Sequence, residues 1–331
     1  MLAIRRFIDP YLMLLMGTVV LAALVPARGV WQTVADMSVT IAVAVLFFLY
    51  GARLAPSAVW AGITHWRLQT LVLATTYVFF PLLGLAIGTW ADAWLQPDIA
   101  FGMLFLCLLP STVQSSIAFT SIAGGNVPAA LCSASISNML GVVITPLLVA
   151  LLLPTSGGGI SLQALEEIAL QILLPFVVGQ AARPLIGTWL ARHRLLTTVV
   201  DRGSILLVVY AAFSAGMVAG IWTQVSLRDL LAVMFFTLLV LAVVLGATTI
   251  ASRKLGFSRQ DEIAIVFCGS KKSMASGIPM AAILFPASAL SLIVLPLMIF
   301  HQVQLFICAI LARRYARLVE AGGEDKGATS Q

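Results

Sequence analysis

Apolar residues run along the chain in long unbroken stretches, and polar positions gather in short breaks between them. Reading the runs between clusters of charge, proline or glycine gives ten candidate membrane-spanning helices: Tyr11 to Pro26, Val34 to Leu54, Leu68 to Trp90, Ile99 to Ile122, Pro128 to Leu153, Leu165 to Ile186, Gly203 to Trp222, Leu230 to Ser252, Ile263 to Phe285 and Leu290 to Ala312. The runs are continuous rather than alternating, which disfavours strands of a membrane barrel. A backbone in lipid must satisfy its own hydrogen bonds, so these segments are helices unless broken beside protein or water. At about 20 residues per span, little is left for connections, and residues 1–331 are expected to form one all-α integral membrane domain with no large extramembrane part.

Composition removes the soluble alternative: 61% of the chain is hydrophobic and 10% charged, against about 25% charged in an ordinary soluble domain. Charge then orients the spans. With the N-terminus inside, fifteen of the nineteen basic residues fall on the cytoplasmic side, only Arg28 and Arg228 fall outside, and Lys271 and Lys272 lie in mid-span. This bias predicts an even number of spans and an N-in, C-in topology in the inner or plasma membrane. The basic residues are spread over short loops rather than gathered in a patch, so the expected partner is the lipid bilayer and not nucleic acid. Arg53 and Arg67 flank a connection holding Trp60, His65 and Trp66, an interfacial anchor. Cys107, Cys132, Cys268 and Cys308 each sit inside an apolar run and read as buried free thiols. No phosphate-binding glycine loop, paired carboxylates within a span or Ser/His/Asp set is present, so the chain is not read as an enzyme. The polar end, residues 322–331, is expected to be disordered.

Two spans carry the candidate chemistry. The fourth reads Leu109-Pro110-Ser111-Thr112-Val113-Gln114-Ser115-Ser116. Proline removes a backbone donor and frees carbonyls to point at an ion, while Ser111, Thr112, Gln114, Ser115 and Ser116 supply further oxygens; the plainer alternative is a kinked helix whose hydroxyls bond their own backbone. The ninth contains Ser270-Lys271-Lys272-Ser273. One lysine at a membrane helix centre costs about 2.5–3.5 kcal/mol on insertion scales, so the fold must offset two. Either the pair lies in water on a loop between short helices, or a broken helix turns it toward a polar cavity, where it attracts an anion or fills a cation site. Adjacent helical positions point about 100° apart, so the two lysines are expected to differ in role. The fifth span offers Ser133, Ser135 and Ser137, read as packing, and Asn138, the better ligand. The tenth offers His301, Gln302 and Gln304. No Asp or Glu lies deep in a span; Asp36, Asp261 and Glu262 are near the ends, which leaves a carboxylate proton relay unsupported. The fourth and ninth spans are separated by an odd number of helices, so two equivalent halves would run in opposite directions, the inverted-repeat plan of many secondary transporters.

In these two spans, and in Phe47-Phe48-Leu49-Tyr50-Gly51, Gly125-Asn126-Val127, Thr145-Pro146 and Gly269 to Ala275, the sequence resembles the bile acid:sodium symporter superfamily, in its bacterial symporter-like branch. The resemblance implies ten helices in two inverted five-helix repeats (about 8–155 and 163–313). It further implies panel helices at 11–54 and 165–222, core helices at 68–153 and 230–312, two broken helices that cross in the core, and substrate passing between the domains by alternating access. In sodium-coupled relatives two ions bind near the crossing. Their fourth-helix pattern of proline, two glycines and a final Ser-Asn is matched here by Pro110, Ser111, Thr112, Ser115 and Ser116; their ninth-helix Glu and Gln-Asn-Ser fall on Phe267, Lys271, Lys272 and Ser273. Ser115, Ser116 and Ser273 carry over as sodium ligands, while the lost carboxylate and two added ammonium groups argue against such coupling. A lysine can replace one ion as a tethered cation, leaving either an uncoupled carrier or one linked to H+ through a lysine that loads and releases a proton. The expected function is a secondary carrier of small or amphipathic organic anions without an organic cofactor, possible as a homodimer. Its alternatives are a membrane ligand sensor and a cation or proton exchanger on a similar fold.

Overall fold

The computed structural model describes residues 10–53, 65–91, 93–153, 169–220, 223 and 225–328; side chains beyond Arg317 and those of Pro10, Leu12, Ala91, Ala169 and Arg194 are outside the description. Trp60, on the connection singled out as an interfacial anchor, and residues 329–331 of the polar end lie outside the described residues. Every regular element among the described residues is helical. In chain order they are α1 (Pro10–Leu24), α2 (Val30–Arg53), α3 (Trp66–Ala74) running through a π turn (Thr75–Phe79) into α4 (Phe80–Ala91), α5 (Pro97–Leu108), α6 (Gln114–Ile122) and α7 (Val127–Leu152). After a π turn at Ala169–Leu173 come α8 (Leu174–Arg192), α9 (Arg194–Val218), α10 (Leu227–Lys254), α11 (Arg259–Gly269), α12 (Met274–Leu284) and α13 (Ala287–Ala328).

Among the described residues seven helices are long and apolar enough to cross a membrane: Val30–Arg53, Trp66–Trp90, Val127–Leu152, Leu170–Arg192, Leu195–Val218, Leu227–Lys254 and Ala287–Arg317. The remaining apolar helices are shorter, and the reason is local. The fourth predicted span is interrupted between α5 and α6 and the ninth between α11 and α12, so neither half reaches span length. Helix ends differ from the apolar runs where charge ended the run but not the helix. α8 and α9 extend past the predicted boundaries and meet at His193, because Arg192, Arg194 and Arg202 are good helix formers that can reach water from the end of a span.

The chain divides into two compact units. The first comprises Met1–Leu54, Ala150–Leu230 and Ala275–Leu295. Here α2 and α8 meet backbone to backbone: a Cβ on Gly51 would collide with the Phe176 carbonyl, and one on Gly179 with the Phe48 carbonyl. Small residues at such a crossing let dispersion and weak contacts replace the hydrophobic drive that lipid removes. Leu49, Ala52 and Leu190 close over it with Phe48, Ile186 and Val200. One turn on, Arg53 grips Asp201 of α9 through two nitrogens at 2.8 and 2.9 Å and donates Nε to the Leu49 carbonyl.

The second unit comprises Ala55–Val149, Leu231–Met274 and Pro296–Gln331. Its core packs α3 (Leu68, Val72), α7 (Ala129, Ala130, Ala134) and α11 (Ala264, Ile265, Cys268). A further cluster joins Phe267 and Ile263 to Cys308, Ala312 and Tyr315 of α13. The loop end of α11 is pinned by Glu262, which accepts from Arg253, Arg259 and the Tyr315 hydroxyl at 3.0–3.2 Å. Asn126 donates to Asp261 at 2.7 Å. All four cysteines are buried and free, as their apolar settings predicted.

Candidate functional site

The two breaks meet inside the second unit. Pro110 cannot donate a backbone hydrogen bond, so α5 ends at Leu108 and the carbonyls of its last turn lose their helical donors. The Ser111 N–H, which a continuing helix would send to Cys107, goes instead to Ser137 Oγ at 3.1 Å. The Leu108 carbonyl accepts Thr145 Oγ1 at 2.8 Å, and the Pro110 carbonyl accepts the Ser273 N–H at 2.9 Å. On the other strand of the crossing, α11 ends at Gly269, and two hydroxyls of the fourth span take up its loose carbonyls. Ser111 Oγ donates to Cys268 at 2.6 Å, and Ser116 Oγ donates to Phe267 at 3.0 Å. Each break is therefore closed by polar groups from the other.

The lysines complete this exchange. Lys272 is fully buried, and its Nζ donates to three carbonyls: Leu109 at 2.6 Å, Cys107 at 2.9 Å and Thr76 at 3.0 Å. The first two are the C-terminal end of a half-helix, where a cation is favoured. The third is free because of the π turn. Phe80 N–H bonds Thr75, and the residue that would serve Thr76 in a π turn is Pro81, which has no N–H. An ammonium has three protons, and all three are used. The Phe80 ring lies beneath at 3.9 Å from Nζ to centroid. The Lys272 backbone is held as well: Gln304 accepts its N–H and donates to its carbonyl, both at 3.0 Å. Gln304 Nε2 also lies 2.9 Å from His301 Nδ1.

Lys271 is equally buried but bound differently. Its Nζ donates to the Ser115 carbonyl at 2.8 Å and lies over the rings of Phe119 (4.0 Å) and Phe267 (5.3 Å). Among the described residues no carboxylate pairs with either lysine. The arrangement thus holds two buried amino groups by carbonyl dipoles and aromatic faces.

Most of the residues singled out from the sequence come together here. Ser111, Ser116, Lys271, Lys272, Ser273 and Gln304 bond directly across the crossing, and His301 stands behind Gln304. The Ser115 hydroxyl is buried without a partner although its carbonyl is used. Ser270 caps its own helix, donating to Val266 at 2.6 Å. Thr112 is half-buried, Gln114 is exposed at the first position of α6, and Asn138 is half-buried beside Ser137. Of the alternatives for the ninth span, lysines in water on a surface loop are excluded by their complete burial. Two groups at the crossing stand outside the residues that the sequence singles out, the Ser137 hydroxyl and the Thr76 carbonyl. Ser137 was read as packing, whereas its hydroxyl takes the amide freed by Pro110. Thr76 had one available signal, the proline five residues on.

A match to the model of the SBF-like CPA transporter family extends over residues 9–317. The chain belongs to that family. Its relatives agree. A Pseudomonas aeruginosa protein named "Uncharacterized protein PA2026" is 52% identical over 94% of each chain. The "Putative symporter YfeH" of Escherichia coli strain K12 is 50% identical over 95% of each. Sodium/bile acid cotransporter 7 of Mus musculus is 30% identical over 82% of this chain and 81% of its own. These place the SBF-like chain in the bile acid:sodium symporter superfamily, a multi-pass membrane transporter rather than an enzyme.

Proposed function

We propose that this transporter is a secondary carrier of small or amphipathic organic anions in which the Lys272 ammonium stands where a coupling cation would bind, so that transport proceeds without sodium. The observation that carries this is the cage of the Thr76, Cys107 and Leu109 carbonyls at 2.6–3.0 Å around Nζ, an oxygen set suited to a small monovalent cation and already filled by a tethered one. Lys271 adds a second buried positive charge beside it, which repels a mobile cation and favours an anionic solute. Ser115, Ser116 and Ser273 stand where the resemblance places sodium ligands, but Ser116 Oγ is spent on Phe267 and among the described residues no carboxylate accompanies them.

The wider architecture of the proposal is ten spans in two inverted five-helix repeats, N-in and C-in, in the inner membrane of a bacterium. Two breaks, one in the fourth apolar stretch and one in the ninth, support the repeat. The division that groups α1, α2, α8 and α9 in one unit and both breaks in the other supports panel and core domains, while the first unit also takes Ala275–Leu295, which the panel and core plan assigns to the core. The test is exchange in proteoliposomes. A set of radiolabelled carboxylates and sulfonates is equilibrated against unlabelled copies, with and without sodium. We expect at least one to exchange at the same rate in both conditions. Sodium-dependent exchange would overturn the coupling assignment, and no exchange of any of them would favour a ligand sensor.

A further inference from the structure

A carboxamide has one oxygen and two N–H protons, and at Gln304 all three are committed. Gln304 is fully buried on α13. Its Oε1 accepts the Lys272 N–H and its Nε2 donates to the Lys272 carbonyl, both at 3.0 Å. The Lys272 backbone thereby fixes which end of the amide is which, because a reversed amide would set N–H against N–H and oxygen against oxygen. The second Nε2 proton points at His301 Nδ1, 2.9 Å away and one turn back on the same helix face. Nδ1 must therefore accept. A ring that accepts at Nδ1 carries its one proton on Nε2 and is uncharged.

This makes the clamp on Lys272 sensitive to a single proton. A proton added at Nδ1 sets two donors against each other at 2.9 Å. Gln304 then either loses His301 or turns and loses both bonds to Lys272, and in each case a buried polar group is left without its partner. The backbone so released lies between the Nζ cage and the Ser273 N–H that donates to the Pro110 carbonyl at 2.9 Å. His301 itself is half-buried, and histidine is the side chain whose charge changes between about pH 5 and 8. Among the described residues, α6 and α11 pack against α13. α6 carries no titratable side chain. α11 carries Cys268 near its end and Arg259, Asp261 and Glu262 in its first turn, where Glu262 meets Tyr315, about 21 Å along α13 from His301. The break beyond α11 carries Lys271 and Lys272, whose Nζ atoms turn to α6 and to the end of α5, and α13 adds the buried Cys308 two turns on.

We propose that His301 is the proton-binding site of this carrier, and that one proton at Nδ1 releases Gln304 from Lys272 and opens the crossing. Linkage works in both directions: opening takes up a proton at His301, and closing expels it. Solute movement is thereby tied to proton movement in place of sodium, through a histidine rather than through either lysine. This coupling rests on the carrier reading given above; the uncharged ring and its grip through Gln304 do not.

The test uses the full-length protein and His301→Asn, whose side-chain oxygen replaces Nδ1 as an acceptor but does not titrate. The chain has three histidines, so His65→Gln with His193→Gln leaves His301 as the one ring seen by nitrogen-15 histidine labelling, even where His301→Asn fails to fold. We expect that ring to be uncharged and protonated at Nε2 at about pH 8, and the wild-type thermal midpoint to fall by several degrees more than that of His301→Asn on going to about pH 5. In proteoliposomes, a difference of one pH unit should drive at least one of the radiolabelled carboxylates and sulfonates toward about tenfold accumulation, the equivalent of one coupled proton. His301→Asn should exchange the same compound without accumulating it. An Nδ1 that carries the proton at about pH 8, or midpoints that fall in parallel, overturns the clamp. Accumulation that survives in His301→Asn, or exchange that no pH difference drives, overturns the coupling. Failure of the carrier reading looks different: the ring titrates and the midpoints diverge while no compound of the set exchanges.

Discussion

Lys271 and Lys272 are neighbours of the same type and the same burial, yet their surroundings assign them different tasks. Lys272 satisfies three carbonyls that two prolines, Pro81 and Pro110, leave without helical donors. Removing its head group orphans all three, and a buried unsatisfied polar group costs about 1–3 kcal/mol. Lys271 satisfies one carbonyl and otherwise rests on aromatic faces. Lys272→Met should therefore lower the thermal midpoint of the purified protein clearly more than Lys271→Met; equal losses would mean that the hydrogen-bond count is not what distinguishes them. Ser111→Ala tests the reciprocal closure. It removes the donor to Cys268 and should cost on the order of 1 kcal/mol in stability, with transport impaired because the crossing loosens.

At the scale of elements, the fold depends on where helices stop and where they touch. The π turn at Thr75–Phe79 is the element that offers Thr76 to Lys272. Replacing Pro81 by Ala restores an N–H that can compete for that carbonyl. We expect Pro81→Ala to fold but to weaken the hold on Lys272, so that hydrogen exchange around residues 270–273 accelerates; unchanged protection there would remove the π turn from the account. In the first unit, Gly51→Leu or Gly179→Leu drives a side chain into an opposing backbone, and either should abolish folded expression, whereas Gly17→Leu, with open space around its Cα, should not. The breaks themselves were legible in the sequence. Pro110 among hydroxyls and two lysines in an apolar run are conspicuous, because lipid tolerates neither without compensation. The compensation was less legible. Thr76 acts through its backbone, which every residue shares, and Ser137 resembles any small residue at a helix interface. Helix ends were misplaced where arginines closed an apolar run without closing the helix, as on both sides of His193.

For the whole molecule, composition and charge settled the class of protein before any side chain was placed, since a chain that is 61% hydrophobic has few folds open to it. Topology is a separate matter, resting on fifteen basic residues assigned to one side. A reporter fused after Arg317 should be active only in the cytoplasm, and a tag inserted at Arg28 or Arg228 should be reached only from outside. Family membership joins this chain to proteins named for sodium cotransport, while its crossing carries a lysine held as a cation would be. That contrast is the central claim. Its most direct test is the thermal stability of wild type and Lys272→Ala during titration with sodium, potassium or methylammonium chloride at fixed ionic strength. The account predicts a wild type indifferent to the cation. The variant should be less stable by on the order of 3 kcal/mol and recover part of that loss when a small cation enters the vacated cage. A sodium-specific rise in the wild type, or a Lys272→Ala variant as stable as its parent, would contradict it.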